Sequence, residues 1–130
     1  LIGRENCGNS NLIIEFITEP MTADQRSRNR FLRKDKRHLD FFKKLYEENE
    51  GVYGYMGEWH THPENIPQYS FIDSNNWKKI GKEMKGGIQY HIIAGIQEVG
   101  IWEYNAVQKR ITKICSIDWK GILKENETII

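Results

Sequence analysis

Two histidines and two polar residues that follow them carry the chemistry that is easiest to read in this sequence. His60 and His62 stand two positions apart, and Ser70 and Asp73 come shortly afterwards. Alternate side chains of a β-strand point to the same face, so both imidazoles can bind one cation if residues 60–62 form a strand. A catalytic zinc ion takes three protein ligands and leaves one position to water. A third ligand is therefore expected from a neighbouring element.

Asp73 is the candidate for this third ligand. Ser70 is a favourable N-cap, and helical spacing places Asp73 on the same face as Trp77, Ile80 and Met84. This apolar stripe predicts that the Asp73 carboxylate faces the core, where a metal ion would offset the cost of burial. The alternative is that Ser70 and Asp73 only cap the helix, and that the histidines only pack.

The elements that must position these residues follow from short apolar runs and turn residues. Strands are predicted at residues 11–18, 52–62, 89–97, 100–104 and 111–117, and helices at residues 38–49 and 70–85. This order predicts an α+β fold, or an α/β sandwich, around one mixed sheet. The first helix should bury one face, formed by Leu39, Phe42, Leu45 and Tyr46, with His38 facing solvent.

Residues 20–37 are predicted to form a polar connection, and its part from 26 to 37 is rich in arginine and lysine. The simplest interpretation is a solvated loop. Two others stay open: a surface that holds the extended tail of a protein substrate, and a nucleic-acid-binding segment. The formal net charge of the chain is only +1, which argues against a general polyanion binder.

Composition and cysteine content restrict the class of protein. The 130 residues suit one domain. Since apolar runs stay well short of the roughly 20 residues a membrane helix needs, no membrane partner is expected. Cys7 and Cys115 are expected to be reduced thiols in a cytoplasmic protein, although a disulfide between them remains open. His91 lies in an apolar run and is predicted to be a core histidine.

At this point the sequence resembles the JAMM family of zinc metalloproteases, also called MPN+ or JAB. The family signature is His-x-His-Pro followed by Ser-x-x-Asp, and it is present as His60, His62, Pro63, Ser70 and Asp73. The resemblance implies a JAB/MPN-like (cytidine deaminase-like) mixed sheet flanked by two main helices. It also implies one catalytic Zn²⁺ held by His60, His62 and Asp73, with Ser70 hydrogen-bonding the oxyanion.

Two further stretches resemble one subgroup of that family. Residues 26–38 and 57–67, followed by Ser70, Asp73 and Trp77, are similar to the bacterial JAB-domain peptidases of antiviral CBASS operons. The subgroup implies an isopeptidase that removes the C-terminus of a cyclic-nucleotide synthase (CD-NTase), or a ubiquitin-like protein, from a target amine. The implied partners are a protein substrate with an extended C-terminal tail and an E1/E2-type conjugating enzyme of the same operon.

The same resemblance implies a general-base glutamate at a position just before Leu1. On this basis residues 1–130 are expected to be a single JAB/MPN domain without its first strand or helix, one that binds zinc yet hydrolyses poorly. Glu5 lies on the wrong side of Gly3 to match. Glu58, two residues before His60, is expected to orient a ligand or to act as a substitute base. A zinc-binding MPN scaffold without activity is the remaining alternative.

Overall fold

A computed structural model of the chain describes residues 1–5, 12–27, 30–84 and 87–121. These ranges contain nine strands and two helices, in the order β1 Ile2–Glu5, β2 Leu12–Phe16, β3 Gln25–Ser27, β4 Arg30–Leu32, α1 Arg37–Glu48, β5 Gly54–Tyr55, β6 Trp59–Thr61, α2 Phe71–Glu83, β7 Ile88–Ala94, β8 Glu98–Asn105 and β9 Arg110–Asp118. The predicted α+β class is confirmed. The contacts divide the chain into a first unit, Leu1–Met56, and a second unit, Gly57–Ile130.

The first unit is built on a three-stranded antiparallel sheet. The strand order is β2-β1-β5, so the central strand β1 pairs with β2 on one side and with β5 on the other. Phe16 of β2 makes edge-to-face contacts with the rings of Phe41, on α1, and Tyr53. These aromatic contacts attach the helix and the chain before β5 to the sheet.

The polar connection of the first unit has more structure than predicted. Strands β3 and β4 pair with each other in antiparallel fashion, where only a loop was expected. The Asp24 carboxylate accepts backbone N–H groups of Met21, Lys34 and Asp35, and it lies 2.6 Å from the His38 ring. The prediction that His38 faces solvent is therefore wrong, because its imidazole is drawn inward to the buried Asp24.

The inward turn of His38 also changes which face of α1 is buried. Leu39 and Tyr46 are about half exposed, although both were predicted to face the core. Phe42 and Leu45 are partly buried, as predicted. The buried face of the helix is thus rotated towards His38, because the hydrogen bond to Asp24 compensates the burial of a polar ring.

The second unit is a four-stranded mixed sheet covered by α2. The strand order is β6-β7-β8-β9, with β6 parallel to β7 and the other pairs antiparallel. The core of this unit consists of Trp77, Ile93, Trp102 and Tyr104. Gly81 brings the helix close to the sheet, because a Cβ at that position would lie 2.7 Å from the Tyr104 ring.

The single strand predicted over residues 52–62 is divided into β5 and β6. Gly57 interrupts it with a φ of +150°, and a Cβ there would lie 1.7 Å from the Tyr90 carbonyl oxygen. Only glycine fits such an approach. Where one sheet was expected from the sequence, the described strands form a three-stranded sheet, a two-stranded β3–β4 pair and a four-stranded mixed sheet.

The structure also tests the predictions made for the buried face of α2, for the cysteines and for membrane helices. The buried stripe of α2 includes Asp73 and Trp77 as expected, but Met84 is 41% exposed. Cys115 is an exposed free thiol, whereas Cys7 lies outside the described residues. Within the described part of the chain, neither helix is long and apolar enough to cross a membrane.

Candidate metal centre

The two histidines are held at the edge of the four-stranded sheet. His60 lies in β6, opposite Ile93 of β7, and His62 follows directly after the strand. The His62 backbone N–H donates to the Ala94 carbonyl at 3.0 Å, so the chain stays attached to β7 beyond the last strand residue. The two rings consequently lie on the same side, with their centroids 4.8 Å apart.

Asp73 is fixed by the start of α2. Ser70 is the N-cap, and its hydroxyl oxygen accepts the Asp73 backbone N–H at 3.2 Å. In return, Oδ2 of Asp73 accepts the Ser70 backbone N–H at 2.6 Å and the Ser70 hydroxyl at 2.8 Å. This capping box determines the side-chain direction of Asp73. Trp77, one turn later, is buried in the core and holds the helix on the sheet.

The three side chains meet at one point. His60 Nε2 lies 3.0 Å from His62 Nε2 and 3.0 Å from Asp73 Oδ1, and His62 Nε2 lies 3.2 Å from Asp73 Oδ2. Zinc bonds of about 2.0–2.2 Å in a tetrahedron separate ligand atoms by about 3.3–3.6 Å, only a few tenths of an ångström more than these distances. The donor set and its spacing therefore fit a small tetrahedral cation, and the three side chains form a group that could hold a metal ion.

The electrostatics of Asp73 agree with such a role. Burial alone would raise the pKa of its carboxyl group, but hydrogen bonds from His60 and from the Ser70 backbone hold that pKa well below its usual range. Asp73 is therefore an anion at neutral pH, although the residue is only 8% exposed. A buried anion beside two imidazole nitrogens is a site that attracts a cation.

Glu64 is a member of this site that the sequence analysis missed. Its carboxylate oxygen Oε1 lies 3.4 Å from Nδ1 of His62, the ring nitrogen turned away from Asp73. That nitrogen is buried and, among the described residues, has no hydrogen bond of normal geometry. An acid two positions after a candidate ligand histidine was the available signal, since ligand histidines commonly face a carboxylate through their second nitrogen.

The remaining candidate residues are distributed as follows. Ser70 lies beside the histidine–aspartate group, but its hydroxyl proton is donated to Asp73. Glu58 lies just before β6, with its backbone carbonyl bonded to the Ile92 N–H. Glu5 belongs to β1 in the first unit. The structure thus brings Ser70 next to the predicted ligands, while the choice of general base stays a prediction.

The basic segment 26–37 belongs to the first unit. Arg37 forms a two-pronged ion pair with the buried Asp35, through contacts of 3.0 Å and 2.7 Å. Arg26 is exposed, and Arg28 lies outside the described residues. The segment is therefore anchored by internal acids, and its role in binding a substrate tail or nucleic acid stays a prediction.

Comparison with known proteins gives one family match and three similar relatives. Residues 1–107 match the family model described as prokaryotic homologs of the JAB domain. A protein of Escherichia coli (strain TW11681) named CD-NTase/cGAS isopeptidase is 42% identical over 66 residues, which cover 51% of this chain and 42% of the relative.

Two further relatives carry the same name. One, from Vibrio cholerae serotype O1 (strain ATCC 39315 / El Tor Inaba N16961), is 37% identical over 52% of this chain and 44% of its own length. The other, from Pseudomonas aeruginosa (strain BWHPSA011 / Pa011), is 30% identical over 58% of this chain and 48% of its own length. The matches thus span less than half the length of these relatives.

Proposed function

The chain belongs to the prokaryotic homologs of the JAB domain, and on this premise we propose that it is a zinc-dependent hydrolase of isopeptide or peptide bonds. The observation that carries the proposal is the convergence of His60, His62 and Asp73, whose ligand atoms lie within 4.8 Å of one another. Two neutral nitrogens and one carboxylate oxygen, with a fourth position left to water, are a typical donor set of catalytic zinc.

The chain's own residues would supply binding and orientation. His60 and His62 would hold the ion through Nε2, and Asp73 through its carboxylate. Zinc bound there would polarise the scissile carbonyl and lower the pKa of a bound water molecule. The carboxylate of Glu64, near Nδ1 of His62, would keep that ring in the tautomer whose Nε2 is free to bind metal.

Ser70 would stabilise the oxyanion that develops on the substrate. In the structure its hydroxyl donates to Asp73 at 2.8 Å. Rotation of that single hydroxyl bond would redirect the proton to the substrate oxygen, while the two backbone hydrogen bonds of the capping box keep the helix start in place. The general base would be the glutamate that the family resemblance puts ahead of Leu1, with Glu58 as the alternative.

For the substrate, we infer the C-terminal tail of a CD-NTase joined to an amine of a target protein. Three relatives of this chain carry the name CD-NTase/cGAS isopeptidase, at identities of 30–42%. The substrate would be a protein with an extended tail, conjugated by an E1/E2-type enzyme. Cleavage would return the free carboxylate of the tail and the free amine of the target.

The test combines metal content with cleavage. Purified protein should contain one equivalent of zinc, and His60→Ala should contain much less. A CD-NTase tail peptide linked through its C-terminus to a lysine ε-amine should be cleaved, at a rate about 10²–10⁴ lower if the general base is not among residues 1–130, with loss of the remaining activity in His60→Ala and after chelation. A protein without bound zinc, or a cleavage rate unaffected by His60→Ala and chelator, would refute the proposal.

The choice of base needs separate variants. Glu58→Gln should weaken zinc binding by about tenfold or more if Glu58 orients a ligand, and it should leave zinc binding unchanged but lower kcat by about 10²–10⁴ if Glu58 is the base. The matched control is Glu83→Gln, an exposed glutamate at the end of α2. A Glu58→Gln protein with full activity would exclude Glu58 as the base.

A further inference from the structure

His91 is a buried polar side chain that contacts both elements of the candidate metal centre. It lies in the middle of β7 and is 0% exposed. Its Nδ1 accepts the backbone N–H of Glu58 at 3.1 Å, and its Nε2 lies 2.9 Å from the Gln89 side-chain oxygen. Its ring stacks on Trp77, with the centroids 4.5 Å apart and the planes 4° from parallel.

These contacts define one tautomer of His91. Nδ1 must be unprotonated because it accepts the Glu58 N–H, so Nε2 carries the hydrogen and donates it to Gln89. Burial, and then the nearby His60, lower the pKa of His91 to about 3. The imidazole is thus neutral at physiological pH, and the direction of both hydrogen bonds is fixed.

The two contacts of His91, with Glu58 and with Trp77, connect it to the chain segments that carry the candidate ligands. Glu58 lies two residues before His60, and Trp77 lies one helical turn after Asp73. The Glu58 carbonyl accepts the Ile92 N–H of β7, and the His91 side chain adds a further attachment of the chain that enters β6. The His91 ring also stacks on Trp77 and so supports the first turns of α2.

We propose that His91 is a positioning residue, which sets the spacing between β6 and α2 and thereby the distance of His60 and His62 from Asp73. The inference rests on the proposed zinc site. A core position in this sheet would need only an apolar ring to stack on Trp77. The ring nitrogen adds a contact that an apolar ring cannot make, because it accepts the backbone N–H of Glu58 in a partly buried hydrogen bond.

The test uses Co²⁺ in place of zinc, because its absorption bands report the geometry around the ion. His91→Phe keeps a ring to stack on Trp77 but removes the acceptor of the Glu58 N–H. We expect its Kd for Co²⁺ to rise about tenfold and the bands of the saturated protein to shift. His91→Asn keeps an acceptor at the place of Nδ1, and its bands should return towards those of the wild type.

The control is Val99→Ala, which truncates a buried residue of β8. It should lower the melting temperature without shifting the Co²⁺ bands. Wild-type Kd and bands in His91→Phe, the same band shift in Val99→Ala, or no recovery in His91→Asn would each overturn the positioning role. Trp77→Phe tests the link from the helix side if His91→Phe does not fold, and an unchanged Kd there would also overturn it.

A different result would identify a failure of the zinc site itself. If the wild-type protein takes up neither Co²⁺ nor zinc, the proposed function is wrong and the positioning role falls with it. If the wild-type protein binds Co²⁺ and the His91 variants bind it equally well, only the positioning role is wrong. The two outcomes are distinguished by the wild-type titration alone.

Discussion

Replacing Asp73 by asparagine separates the two tasks of this side chain. Its carboxylate faces both histidines, and it also accepts the Ser70 backbone N–H that closes the capping box. The amide of asparagine retains one carbonyl oxygen for the Ser70 N–H but removes the negative charge. We therefore expect Asp73→Asn to fold with α2 intact and to lose its stabilisation by zinc.

The expected rise in Tm on zinc binding follows from the coupling of metal binding to folding. A ligand that binds only the folded state stabilises it by about 2.7 kcal/mol when its concentration is 100 times its Kd. For a chain of 130 residues, an unfolding entropy of about 2.1 cal/mol/K per residue converts this into a rise of about 10 °C in Tm. Without zinc, Asp73→Asn should also lose the stabilisation that the lowered pKa of this carboxyl group reports, so the zinc-dependent rise in Tm is compared within each protein, between its zinc-free and its zinc-loaded form.

The assay is thermal unfolding followed by circular dichroism, on chelator-treated protein with and without zinc. The matched control is Asp40→Asn, which neutralises an exposed aspartate in the first turn of the other helix. Asp40→Asn should keep the whole zinc-dependent rise in Tm, and Asp73→Asn should lose it. An equal rise in Asp73→Asn and wild type would refute the assignment of Asp73 as a ligand.

Three further predictions follow from other contacts. Ser70→Ala should retain zinc but lower kcat by about 10²–10³, and should cost about 1 kcal/mol of stability through the lost N-cap. Glu64→Gln should weaken zinc binding by about tenfold or more, because Nδ1 of His62 loses its carboxylate. The first unit should lose stability as the pH falls below about 4. Burial opposes ionisation of Asp24, but hydrogen bonds from the backbone N–H groups of Asp35 and Met21 and from the His38 ring hold the pKa of Asp24 well below its value in the unfolded chain. The ionised Asp24 therefore stabilises the folded state above the unfolded-state pKa, and this stabilisation is lost as the pH falls below it.

Each of these three predictions has a measurement that can contradict it. Steady-state cleavage with zinc content measured in parallel tests Ser70→Ala, and an unchanged kcat would count against an oxyanion role. Competition with a zinc-sensitive dye tests Glu64→Gln, with Glu83→Gln as the exposed control. Urea unfolding of wild type and Asp24→Asn between pH 3 and pH 7 tests the third, and an equal pH dependence in both would contradict it.

The site was easier to predict from sequence than the fold around it. His60, His62, Ser70 and Asp73 are close in sequence, so strand alternation and capping chemistry suggested that they meet, and the family resemblance favoured a zinc site over packing and capping alone. The capping box and the buried Trp77 are confirmed. The metal-binding and catalytic roles of His60, His62, Asp73 and Ser70 stay predictions, since they depend on a metal ion and a substrate.

Features that depend on contacts distant in sequence could not be predicted. Gly57 breaks a strand because it meets the Tyr90 backbone, 33 positions later. His38 is buried because Asp24, 14 positions earlier, accepts a hydrogen bond from its ring. Neither partner is marked by periodicity or spacing, so the local pattern favoured one continuous strand and an exposed histidine.

The parallel pairing of β6 with β7 determines where in the sequence the residues of the candidate centre lie. The crossover through α2 encloses the three candidate ligands, Glu64 and His91 between residues 58 and 94. A single contiguous segment of the chain therefore encodes the three candidate metal ligands and the two side chains argued to orient them. A variant library restricted to residues 58–94 would therefore sample each of these side chains, while β3 and β4 lie outside that range.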